Sequence, residues 1–194
     1  MIRQFRDYAA TKAYSDFERL PKGGYVVKIL GVSVEQYRDN EETLKISCDI
    51  CEGEHADFYA NAYRANSNED KRWGCNYLLN IPTDDGTERD GWRKRAFKTA
   101  IEAIEDSNPG FRWAWNETAL KGLIVGALFN EREYIGNDGS IKRSTNLARF
   151  VPAEKIRTGN YTLPNDRLLE QPTSVNNGFM AIPSGADDSG LPFN

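Results

Sequence analysis

The chain has little of what most enzymes and all membrane-spanning helices need. It holds a single histidine, His55, and no Ser or Cys stands near it in a nucleophile arrangement, so histidine-driven acyl chemistry has no support. No Gly-Lys-Ser/Thr motif follows a glycine-rich loop, which argues against nucleotide triphosphate hydrolysis. No apolar run approaches the roughly eighteen residues that a bilayer span requires. The first twenty residues lack the apolar stretch of a secretory signal, and the 3 cysteines are an odd number. Reduced thiols in a cytoplasm are the expectation, and the two Asn-x-Thr triplets at Asn116 and Asn160 carry no weight as glycosylation sites. There are no internal repeats.

What is present is a soluble composition with uneven charge. Of 194 residues, 39% are hydrophobic and 28% charged, enough for one well-cored domain. The net charge of −4 is segregated along the chain. Residues 170–194 contain three acids (Glu170, Asp187, Asp188) and no Lys or Arg, whereas residues 121–169 carry eight bases against five acids. Residues 170–194 are rich in Pro, Ser, Asn and Gly, the composition of a flexible acidic tail, so the domain is expected over residues 1–169.

Residues 1–20 repeat Phe5, Ala9, Ala13 and Phe17 at helical spacing before Leu20-Pro21-Lys22-Gly23-Gly24 ends the pattern. Residues 25–38 are β-branched and extended in character, with a bend at Gly31. Residues 42–51 alternate Leu44, Ile46, Cys48 and Ile50 against polar positions, the period of a strand with one buried face. Residues 55–64, with Phe58, Tyr59 and Tyr63, give a third expected strand. Trp92, Ala96, Phe97, Ala100, Ile101, Ala103 and Ile104 then recur at three and four residues, an amphipathic helix closed by Asn108-Pro109-Gly110. Last comes a long hairpin over residues 121–150, turning at Ile135-Gly136-Asn137-Asp138-Gly139. Gly122 and Gly126 suit a sharply coiled first arm. That arm is apolar and the second is basic.

Three strands, a helical stretch and two more strands follow the order of the five-stranded OB barrel. The expectation is therefore a mainly β fold, an OB-fold barrel with a helical insertion between strands 3 and 4 at about residues 67–120. Short motifs sharpen it: Leu20-Pro21-Lys22-Gly23-Gly24-Tyr25 at the start, Leu120-Lys121-Gly122 after the helix, and Glu133-Tyr134-Ile135-Gly136 in the hairpin. This layout, over roughly residues 18–152, resembles small phage-encoded OB-fold single-stranded DNA-binding proteins of replication gene clusters. The tip Asp187-Asp188-Ser189-Gly190-Leu191-Pro192-Phe193 resembles the acidic, Phe-ended tip with which bacterial single-stranded DNA-binding proteins recruit replication and repair partners, although here Asn194 follows the Phe. The resemblance implies a non-enzymatic protein of phage DNA replication or recombination in the cytoplasm of a bacterial host. It needs no cofactor. Asp187, Asp188, Leu191, Pro192 and Phe193 would be the partner-binding tip.

A single strand needs aromatic faces for its bases and cations for its phosphates. The candidates are Lys45 on the second strand; Tyr59, Tyr63 and Arg64 on the third; Lys71, Arg72 and Trp73 beyond it; and Arg132, Tyr134, Lys142, Arg143 and Arg149 on the hairpin. The competing reading is that the aromatics pack in the core and the cations are solvated. The same choice stands for Trp113 and Trp115. Other readings stay open. Cys48, Cys51, His55 and Cys75 are a Cys₃His set, yet an odd separation on a strand points Cys48 and Cys51 to opposite faces. Asp84, Asp85 and Asp90 would serve a metal-dependent nuclease. An OB barrel acting as a replisome adaptor without touching DNA is the alternative from another class.

Overall fold

The computed structural model describes residues 3, 6, 8, 19–36 and 41–169. The expected N-terminal helix and the acidic tail lie outside them. Nine elements follow in order: β1 (Gly23–Gln36), β2 (Glu42–Ile50), α1 (Phe58–Ala65), β3 (Asn76–Asn80), α2 (Glu88–Ser107), a 3₁₀ turn (Glu117–Leu120), β4 (Ile124–Ile135), β5 (Ile141–Val151) and α3 (Ala153–Arg157). The strands form one antiparallel sheet in the order β3-β2-β1-β4-β5, so β3 and β5 are its edges. The fold is mainly β, with the sheet open between those edges. Among the described residues no helix is long and apolar enough to cross a membrane.

Alternation sets the register. Leu44, Ile46, Cys48 and Ile50 are all buried, as the period of β2 requires, and they meet Val27 and Ile29 of β1 and Val125, Ala127 and Phe129 of β4 in one core. Irregularities between Ile29 and Gly31 in β1, and between Leu128 and Phe129 in β4, shift the pairing by a residue and add coil to the sheet. The glycines of the hairpin's first arm have two different jobs. Gly122 precedes β4 at φ 91, donating its N–H to the Ile29 carbonyl at 2.8 Å. Gly126 makes room instead: a Cβ there would lie 2.7 Å from Ile156 of α3 and 2.8 Å from the Val151 carbonyl. The hairpin turn falls where its sequence puts it, with Gly139 at φ 76 and its N–H donated to the Gly136 carbonyl at 2.9 Å.

The third strand does not lie at residues 55–64. Residues 55–64 form a turn and α1 rather than a strand, and β3 lies at Asn76–Asn80, within the stretch expected to be the helical insertion. The cause is a contact across the chain. The buried Asp49 carboxylate at the end of β2 accepts from the Tyr59 N–H at 3.0 Å and the Ala60 N–H at 2.9 Å, meeting two of the donors that a helix start leaves open. No cap within α1 does this, because Asp57 stands at the N-cap position with φ 59 and makes no side-chain cap bond. Only α2 and the segments around it separate β3 from β4.

Helix α2 starts at Thr87, whose hydroxyl oxygen accepts from the Asp90 N–H at 3.1 Å. Its buried stripe is Phe97, Ala100, Ile101, Ala103 and Ile104, and toward the N-terminus it continues through Arg93 and Asp90 rather than Trp92. Arg93 is buried beside Glu41, with which it forms an ion pair. Trp92 is therefore turned outward and Ala96 is exposed with it.

Candidate nucleic-acid interface

The edges β3 and β5 approach one another where the Tyr77 and Phe150 rings stand 4.4 Å apart. Beyond that contact they diverge around a polar cleft of about 330 Å³. Asn76, Tyr77 and Leu78 line one wall, Asn146, Leu147 and Ala148 the other, with Tyr59 and Cys75 also at its surface. Two arginines border it, Arg132 on β4 and Arg167 beyond α3.

Backbone pairing brings those arginines together. Residues 165–169 run along the stretch of β4 that β1 does not cover, and Arg132 and Arg167 are partners in a parallel bridge, which sets both side chains on one face of the sheet. The Glu133 N–H donates to the Arg167 carbonyl at 2.9 Å, and the Arg167 N–H to the Glu131 carbonyl at 2.8 Å. Asn130, itself buried, donates its side-chain amide to the Asn165 carbonyl at 2.6 Å and fixes the segment. Both arginines are exposed, and among the described residues neither has an acid partner. Asn146 and Tyr134 occupy the same face of the hairpin in register.

A second, smaller cleft of about 230 Å³ adjoins the first through Tyr59 and Gly74. Its walls carry Tyr63 and Arg72. The Tyr63 and Trp73 rings lie 5.6 Å apart at 45°, and the Lys71 ammonium sits 4.6 Å from the centre of the Tyr63 ring. Trp73 is anchored by its indole N–H, which donates to the Cys48 carbonyl at 2.8 Å. Arg64 donates to the Asn61 side-chain oxygen at 2.8 Å. Arg72 is exposed with no acid partner among the described residues, while Glu69 and Asp70 are the acids on its loop. Residues 63–73 thus form one aromatic and cationic cluster beside the edge of β3.

The other candidates fall differently. Tyr59 is only 9% exposed and stacks near Phe129 with ring centres 6.4 Å apart, so it is a core aromatic. Burial pushes its phenol well above the ordinary value. Lys45 is on the outer face of β2, paired with Glu35 at 2.9 Å. Lys142 pairs with Asp138 at 3.1 Å, and Arg143 meets Glu133 at 2.8 Å. Arg149 donates to the Thr162 carbonyl at 3.1 Å. Tyr134, 41% exposed, is near the hairpin tip with Ile135 and Ile141. Asp187, Asp188, Leu191, Pro192 and Phe193 are outside the described residues.

Sequence reasoning missed Arg167, Tyr77, Asn76 and Asn146. Asn146 carried a signal, since it sits in the basic arm, but Arg167 had none, because only the bridge to β4 brings it to the site. Neither metal reading gains a site. Among the described residues no group of three or more His, Cys, Asp or Glu side chains is placed to hold an ion. Burial pushes the Cys48 thiol well up and the Cys75 thiol to about 12, so both are neutral. The buried Asp90 carboxylate accepts from the Thr83 and Asp84 N–H groups at 2.8 and 3.1 Å and pairs with Lys94 at 2.9 Å. Hydrogen bonds from Thr87 and Thr83 hold the Asp85 carboxyl down at about 2.

Compared with known proteins, the chain matches no protein-family model and no curated protein.

Proposed function

We propose that the protein binds single-stranded DNA along the cleft between β3 and β5, without catalysing a reaction on it. The observation that carries this reading is the pair Arg132 and Arg167, two exposed guanidinium groups side by side on a polar cleft with no acid partner to either among the described residues. An uncompensated pair on a concave surface attracts a polyanion, and guanidinium groups suit phosphate oxygens. Tyr63 and Trp73, with Lys71 and Arg72, then supply rings and further cations along a path of two adjoining clefts. Rings that accept any base and cations that accept any phosphate make a binder of little sequence preference.

The order β3-β2-β1-β4-β5 is that of an OB barrel cut open between β3 and β5, with α2 in the link from β3 to β4. On this reading the cleft is the seam of the barrel. The motifs around residues 20–25, 120–122 and 133–136 support a place in phage DNA replication or recombination, and the acidic tip would recruit partner proteins.

The test is the change in fluorescence anisotropy of a labelled oligo-dT on titration with the protein at low and moderate salt, with duplex of equal length as competitor. Saturable, salt-sensitive binding that duplex does not reverse is expected. Absence of binding at low salt would remove the reading and leave the adaptor role.

A further inference from the structure

The outer side of α2 carries aromatic surface that the core does not use. Trp115 is 80% exposed and Trp92 is 63% exposed, although tryptophan is among the side chains that gain most from burial. Trp115 lies over Phe97 with ring centres 6.2 Å apart and planes 9° from parallel, and it stands at φ 57, a left-handed backbone that a bulky residue seldom adopts. A groove of about 340 Å³ opens between α2 and this loop, floored by Phe97, Ile101 and Trp113. The buried Trp113 indole N–H meets no acceptor among the described residues.

Cations continue from the groove along the helix. Trp92, Arg95 and Lys98 are three residues apart and so adjacent on the helix surface. The Arg95 guanidinium lies 5.1 Å from the centre of the Trp92 ring and has no acid partner among the described residues. Arg112, exposed on the loop that carries Trp113 and Trp115, donates to the Phe111 carbonyl and has no acid partner among the described residues. The groove has acids too. Glu102 is paired with Lys98 at 3.6 Å, which takes that lysine out of the free cations, and the Glu105 carboxylate accepts the Trp113 backbone N–H at 2.7 Å.

We propose that this face is a second contact surface for single-stranded nucleic acid, with bases stacking on Trp115 and Trp92 and phosphates meeting Arg95 and Arg112. Exposed rings beside Arg95 and Arg112, which meet no acid among the described residues, are what a strand needs, while a protein partner would have been favoured by a broad apolar patch without those cations. The inference extends the strand-binding reading of the β3–β5 cleft and uses none of its residues. A strand long enough to engage both surfaces occludes more nucleotides than the cleft alone.

The test compares a short oligo-dT of about ten nucleotides, near the size that one such fold covers, with one about four times longer. The proteins are the full chain, Trp92→Ala/Trp115→Ala, Arg95→Glu, and Arg132→Ala/Arg167→Ala. Both tryptophans are exposed, so their loss leaves the core intact, and Arg95→Glu probes the face without removing a ring. The expected result is that the Trp92/Trp115 and Arg95 variants bind the short strand as the full chain does. On the long strand they lose about tenfold in affinity and occlude fewer nucleotides. Unchanged affinity and occluded length on the long strand would overturn the proposal. Equal loss on both strands would overturn it as a separate surface. If the cleft variant alone binds normally, the cleft reading fails and this one stands; if the unmodified chain binds neither strand, both fall.

Discussion

The β4–β5 hairpin and the β3–β5 cleft use the same residue type to opposite effect. On the outer hairpin Lys142 and Arg143 are crowded in sequence, yet Asp138 and Glu133 already occupy them. At the cleft Arg132 and Arg167 are 35 positions apart, and no acid meets either among the described residues. An exposed ion pair adds little stability, but it does remove a cation from the set that can attract phosphate without first breaking a contact. On the proposed reading, availability and not local density of positive charge marks the place for a polyanion.

Four substitutions sharpen or break that contrast. The largest effect is on the cleft's scaffold. Asp49→Ala leaves buried N–H donors of Ile50, Tyr59 and Ala60 without their acceptor, and should cost about 2–3 kcal/mol in urea unfolding. It should also release α1 and with it Tyr63, so strand binding weakens in the same variant. An unfolding midpoint equal to the parent's would mean that α1 does not depend on the carboxylate. Next is Arg132→Ala/Arg167→Ala, with an expected loss of roughly 2 kcal/mol, about thirtyfold in affinity for oligo-dT at low salt. Glu133→Gln should act in the other direction by about 0.5 kcal/mol, because it removes the nearer of the two acids that hold Arg143 and leaves only Glu131 at 4.0 Å. Titration showing weaker binding in that variant would contradict the pairing argument. Smallest is Lys142→Ala/Arg143→Ala, which should stay within about twofold of the parent.

How far these regions could be read from sequence follows from what held each in place. The alternation of Leu44, Ile46, Cys48 and Ile50 has one solution once a face is buried, so β2 was legible residue by residue. The hairpin and its turn were equally plain, since Gly139 needs positive φ and sits between two runs that extend. Residues 55–64 misled because short apolar runs fit either period, and the deciding contact, Asp49 to the α1 amides, joins residues ten and eleven positions apart. Trp92 misled for a related reason: a stripe through Trp92 differs from one through Arg93 by a single helical step, and Glu41 settles it from another element. Of the candidate contacts, Lys71, Arg72 and Trp73 read as one cluster from their adjacency, whereas Tyr63 read with the expected third strand and joins them only through the fold of α1. Arg167 was invisible, because nothing in a sequence records a bridge to a strand 35 residues earlier.

The central claim, that the acid-free cleft arginines receive the phosphates and the acid-paired hairpin cations do not, is most directly tested by salt dependence. Affinity for oligo-dT would be measured across a salt series for the parent chain, the Arg132/Arg167 variant and the Lys142/Arg143 variant. For single strands each phosphate contact contributes about 0.7 to the slope of log affinity against log salt. The cleft variant should therefore lose about 1.4 from the slope while the hairpin variant keeps the parent's. A slope that falls in the hairpin variant and is unchanged in the cleft variant would contradict the account.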